Sequence, residues 1–159
     1  MTRYQQIADV AVPRMREFYD ERETVSEFAR QLVLGYREYL EAPDDSASFV
    51  ELNANLDIVG ERVAIIQDAP PVQRKDGSWT FCFAMTFENK NSPYFSVENR
   101  KVNVRVQQEE LVITCGKEFA VKRSSTYELA EVFDYFFENT RQCYREKKVS
   151  NRIGFYVGN

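Results

Sequence analysis

Residues 77–87 read "GSWTFCFAMTF", and this stretch decides the fold. Every second residue from Trp79 is large and apolar: Trp79, Phe81, Phe83, Met85 and Phe87. Between them stand the small residues Thr80, Cys82, Ala84 and Thr86. Successive side chains of a strand point to opposite faces, so this pattern predicts a strand with one aromatic face. A face of that kind must be covered, which calls for a second layer of structure. Two readings follow. The aromatic row is either the filled core of a sheet or the wall of a binding site.

Further strands are predicted on both sides. Residues 50–58, "VELNANLDI", alternate apolar and polar, as a half-buried antiparallel strand does. Gly60 is expected to turn the chain into "RVAIIQ" at 62–67. The "KDG" turn at 75–77 leads to the aromatic row. A polar loop is expected from Glu88 to Asn99, with Tyr94 and Phe95 following Pro93. "KVNVRVQ" at 101–107 turns Val102, Val104 and Val106 inward, and 111–115 and 118–122 flank a Gly116-Lys117 hairpin.

Helices bracket the strands. Tyr4, Ile7, Val10 or Ala11, Met15 and Phe18 recur at steps of three and four. Pro13 is expected to kink this helix or to start a second one. "TVSE" at 24–27 has the form of a capping box ahead of Phe28, Leu32 and Tyr36. A second such box, "STYE" at 125–128, precedes an apolar helical face of Leu129, Val132, Phe133, Phe136, Phe137 and Thr140. That helix is expected to end near Lys147-Lys148 and to lie over the aromatic row. The small face of the row is left to water or to the N-terminal helices. The prediction is a single α+β domain over 1–159. It has N-terminal helices, a five- or six-stranded antiparallel sheet and a long C-terminal helix packed on one sheet face.

Composition limits the function. The chain has 159 residues, enough for one domain with a real core. No segment approaches the length of a membrane span, and the first residues lack a secretory apolar run, so a cytoplasmic protein is expected. Cys82, Cys115 and Cys143 are far apart without a CxxC pair and read as reduced thiols. The net charge is -4. Residues 1–76 hold fifteen acidic and nine basic side chains, whereas 77–159 hold ten and twelve. Overall acidity disfavours nucleic acid, and an acidic half suits a basic protein partner.

The chain has no histidine, which removes the usual general base and the usual metal ligand. No glycine-rich phosphate loop occurs among its six glycines. No cofactor or metal is therefore expected. The expectation is a non-enzymatic protein-interaction module, of accessory, inhibitor or immunity type, for which a homodimer is one arrangement. The alternative is an apolar-ligand binder with a cavity between the sheet and the C-terminal helix. Candidate contact residues are Trp79 on the aromatic row, Tyr94 and Phe95 in the polar loop, and Lys101, Arg105 and Arg123 on a small basic face. Each has a plain alternative: core for Trp79, a folded-over sheet edge for the loop aromatics, solvated charge for the basic residues.

Overall fold

The computed structural model describes residues 1–63, 71–146 and 152–158. The chain begins with one long helix, α1 (Arg3–Tyr39). Strands β1 (Ala47–Leu52), β2 (Ile58–Val63), β3 (Val72–Gln73), β4 (Trp79–Glu88), β5 (Tyr94–Val106), β6 (Glu110–Thr114) and β7 (Glu118–Lys122) follow. Helix α2 (Ala130–Arg145) and a last strand, β8 (Ile153–Val157), complete it. The architecture is α+β with an antiparallel sheet, as predicted. Among the described residues the sheet has eight strands, where five or six were expected.

The main path is β2-β1-β4-β5-β6-β7. β4 and β5 form its axis, paired from Trp79↔Val104 to Glu88↔Phe95. Each serves two shorter neighbours. β4 takes β3 at Trp79 and Thr80 and β1 at Cys82 to Met85. β5 takes β8 at Tyr94 to Glu98 and β6 at Asn103 to Val106.

The aromatic row is core. Trp79, Phe81, Phe83 and Met85 are at most 1% exposed. Both helices cover them, so α1 shares the aromatic face with α2 and does not shield the small one. Phe28 of α1 meets Phe81 edge-on at 6.4 Å, and Phe83 lies 6.0 Å from Phe136 of α2. Phe133 stacks on Tyr36 at 5.8 Å. The small face is buried as well. Cys82 and Ala84 join Val50, Leu52 and Val97 in a second cluster, with Leu56, Val72 and Phe95 packed against it.

Five local predictions need correction and a sixth, at Pro13, is narrowed. Pro13 does not start a second helix: α1 continues through it, because the carbonyl it leaves unbonded lies on an exposed stretch where water can serve it. The "TVSE" motif is therefore inside the helix. The Thr24 hydroxyl donates back to the Asp20 carbonyl at 3.0 Å, and the true cap is Thr2, which accepts from the Gln5 amide at 3.1 Å. The turn after β1 lies at 53–57, not at Gly60. There the Asn53 side chain accepts from the Asn55 and Asp57 amides at 2.9 and 3.0 Å, and Gly60 lies within β2.

The long helix is α1, with 37 residues, while the C-terminal helix has 16. "STYE" does not cap α2. Residues ahead of it are held against α1 instead: the Gln31 amide donates to the Ser125 carbonyl at 2.8 Å, and the Tyr127 amide donates to Gln31 Oε1 at 3.1 Å. Finally, the expected polar loop is half strand, since β5 starts at Tyr94. Residues 64–67 of the expected second strand, and the Lys147-Lys148 helix end, lie outside the described residues.

Candidate functional site

Two surfaces stand out: the first half of α1 and an apolar cleft beside α2. The half-helix follows from its sequence. Thr2 caps its start, and no glycine interrupts residues 3–34. What the half-helix lacks is cover. Tyr4 is 83% exposed, Ile7 69% and Met15 56%. Val10, Val12 and Tyr19 are exposed too. Phe18 is the first α1 side chain packed on the core, with its ring 5.0 Å from that of Trp79. From Val25 onward the same helix is buried: Phe28, Leu32 and Tyr36 are fully enclosed.

The cleft lies between the end of α1, α2 and the ends of β4 and β5. Its volume is about 450 Å³, and Tyr36, Leu40, Phe87, Phe137, Thr140 and Tyr144 line it. Within its wall the Ser96 and Tyr144 hydroxyls are hydrogen-bonded at 2.6 Å. Arg141 and Arg145 border it as well, Arg141 being paired with Glu138 at 3.1 Å. Phe87, the last residue of the aromatic row, is thus cleft wall, while the four before it are core.

Beside the cleft sits a buried charge network. Glu98 and Arg100 point from β5 toward the helices, two residues apart on one strand face. Arg100 Nε donates to Glu98 Oε1 at 3.1 Å. Its Nη2 reaches the Phe136 carbonyl at 3.1 Å and Thr140 Oγ1 at 2.9 Å. Thr140 donates in turn to Glu98 Oε1 at 2.8 Å. The guanidinium carbon lies 4.6 Å above the Phe136 ring. From the far side, Arg152 Nη2 approaches Glu98 Oε2 to 3.5 Å. Burial pushes the nearby Tyr36 hydroxyl up to about 12, against the opposing pull of Arg100. The neutral phenol is the form this interior holds. The network ties β5, α2 and the chain entering β8 into one unit, with the Glu98 carboxylate shared between Arg100 and Arg152.

The six residues singled out from sequence are scattered. Trp79 is buried in the core. Tyr94 is exposed at the start of β5, and Phe95 stacks on Tyr156 of β8 at 5.2 Å. Lys101 and Arg105 share the outer face of β5, where Arg105 lies 3.9 Å from Glu118. Arg123 is turned elsewhere. It donates to the Gln107 carbonyl at 3.1 Å and borders a hollow with Asp20, Glu23 and Glu27 of α1. The structure turns Tyr94 and Phe95 to opposite faces of β5, sets Lys101 and Arg105 apart along one face of it, and does not assemble the six into one patch.

Sequence reasoning missed Glu98 and Arg100, which it assigned to a loop and to a strand flank. The signal was the alternation of Phe95 and Val97 with Ser96, Glu98 and Arg100, a strand whose inward face is polar. Cys82 behaves as the packed thiol expected, its pKa pushed up to about 12 by burial. No helix among the described residues is long and apolar enough to cross a membrane. Comparison of the chain with protein-family models, curated proteins and solved structures gives no match.

Proposed function

We propose that this chain is a non-enzymatic protein-interaction module, of accessory, inhibitor or immunity type, that docks through the first half of α1. One observation carries the reading: Tyr4, Ile7 and Met15 stand exposed on a helix whose apolar packing on the core begins at Phe18. Isolated helices shorter than about 15 residues are marginal in water. Pro13 removes one more bond from this one. An apolar helix face of that length is covered in the working assembly. Hydrogen–deuterium exchange on dilute protein tests it. An uncovered docking element exchanges its amides at residues 6–17 far faster than residues 25–36 of the same helix. Equal protection of the two halves in the dilute monomer would overturn the reading.

A second reading is favoured by the cleft. Its lining is almost wholly apolar and its size suits a small molecule. On this reading the chain carries an amphipathic ligand between the sheet and α2. Native mass spectrometry of the purified protein decides it. A retained mass that is lost on Phe137→Trp substitution supports a carrier, and a ligand-free spectrum after incubation with apolar ligands removes it.

A further inference from the structure

The cleft beside α2 has polar groups of one kind only. Among the described residues no carboxylate lines it. Three of its four hydroxyls already give their proton to the protein. Ser96 donates to the Gly154 carbonyl at 2.9 Å, so Tyr144 is the donor in its 2.6 Å bond to Ser96. Thr140 donates to Glu98. The fourth hydroxyl, on Tyr36, is buried and has no partner at hydrogen-bond distance. Together with the guanidiniums of Arg141 and Arg145, it leaves the cleft with unused donors and no charged acceptor.

The mouth is cationic. Arg141 and Arg145 stand four apart on α2, on the face that also sets Phe137 and Tyr144 in the cleft wall. Arg141 lies 5.2 Å above the Phe137 ring and is answered by Glu138. Arg145 is exposed, and among the described residues no carboxylate pairs with it. Its neighbour Glu146 accepts from Gln142 at 2.8 Å instead. One basic side chain in the last turn serves the helix dipole. Two on the cleft side repel each other, and an anion held between them turns that repulsion into attraction.

We propose that the cleft takes a single anionic amphiphile: a carboxylic acid whose head lies between Arg141 and Arg145 and whose apolar chain runs inward past Phe137. The proposal rests on the reading of the cleft as a ligand site, and names the ligand's class. Along α2 the cleft extends from Arg145 to Phe137, a rise of about 12 Å. Its volume of about 450 Å³ lies in the lower part of the range for small-molecule sites, about 300–1,000 Å³. Phe87, Leu40 and Tyr144 offer the chain apolar surface on its other sides. A cationic head would meet two guanidiniums and no carboxylate.

Titration calorimetry of the full chain tests the head and the chain separately, with decanoate, decanol and decylamine below their micelle concentrations. Decanoate is expected to bind about tenfold tighter than decanol, and decylamine not to bind. Octanoate should be weaker than decanoate by about fourfold for each methylene lost. Arg145→Gln weakens decanoate by about threefold, and Arg141→Gln/Arg145→Gln by about tenfold, with decanol unchanged. Both side chains reach solvent, so the fold is not at stake. Lys75→Gln, in the turn at the other end of β4 from Phe87, removes a charge elsewhere and leaves every affinity as it was. Equal binding of decanoate and decanol, both lost in Phe137→Trp, overturns the anionic head and leaves the carrier reading standing. Decanoate binding indifferent to the double variant places the acid elsewhere and overturns the proposal. Binding to vesicles of anionic phospholipid without binding of free decanoate would make the site a membrane contact and overturn it too. No binding of any of the three compounds removes the proposal and the carrier reading together.

Discussion

The two halves of α1 obey the same sequence rule and meet opposite fates. Residues 25–36 place Phe28, Leu32 and Tyr36 at steps of four, and all three are enclosed by the sheet and α2. Residues 4–18 place apolar groups at the same steps, and water meets most of them. Each enclosed side chain contributes about 1.5–3 kcal/mol by leaving water. The free half receives almost none of this from its own chain. Periodicity therefore tells which face of a helix wants cover, and is silent on what supplies it. The difference also divides labour: one half fastens the helix to the body and the other is presented.

The comparison breaks most visibly by truncation in each half. Phe28→Ala, in the fastened half, is expected to cost about 3–5 kcal/mol, read as a lowered denaturant midpoint with unchanged slope. Tyr4→Ala, an equally aromatic loss in the free half, is expected to move the dilute monomer by less than about 0.5 kcal/mol. Comparable losses from both would mean that the free half packs on the body in solution. Next in size is Glu98→Gln. It leaves Arg100 and Arg152 facing each other without their carboxylate, at a cost of about 3 kcal/mol. A cost under about 1 kcal/mol would show that water reaches the pair.

Tyr36 sharpens the contrast through pH. Its hydroxyl is raised from 10.0 to about 12 by burial, so the folded state keeps a proton that the unfolded chain releases. Stability from this group is fully present below pH 10 and is lost as pH rises toward 12, by about 3 kcal/mol at most. Tyr36→Phe retains the ring without the proton. The alkaline fall in its unfolding free energy should be shallower than in wild type. Identical alkaline limbs for wild type and Tyr36→Phe would place the hydroxyl in contact with water.

Much of this was legible in the residues. The period-two row from Trp79 to Phe87 predicts the central strand and its covered face, and Val102 and Val104 predict the neighbour beside it. What escaped depends on partners far along the chain. Ser96, Glu98 and Arg100 look like loop residues until Thr140 and Arg152 arrive to satisfy them. The "STYE" segment fits a cap by its spacing, yet Gln31, almost a hundred positions earlier, holds it otherwise. Asn53 takes the turn ahead of Gly60 because its carboxamide accepts two backbone amides at once. The candidate surfaces were half legible. Tyr4, Ile7 and Met15 announce an apolar helix face, but its exposure is set by where the body ends. The cleft forms only when Leu40, Phe87 and Tyr144 converge from three separate elements.

Pro13 offers the finest test of the division within α1. A proline inside a helix costs about 3 kcal/mol relative to alanine through its missing donor and its ring. In a helix folded as one unit with the body, Pro13→Ala would raise global stability by a large share of that amount. Here the apolar packing of α1 on the core begins at Phe18, and around residue 13 the helix only borders a hollow shared with Val106 and Arg123. The substitution is therefore expected to leave the denaturant midpoint of the dilute monomer within about 0.5 kcal/mol of wild type. Its effect should be local, slowing amide exchange at residues 6–17 by up to about a hundredfold. A raised midpoint would show that the free half unfolds together with the core, and the presented helix would then be part of the fastened one.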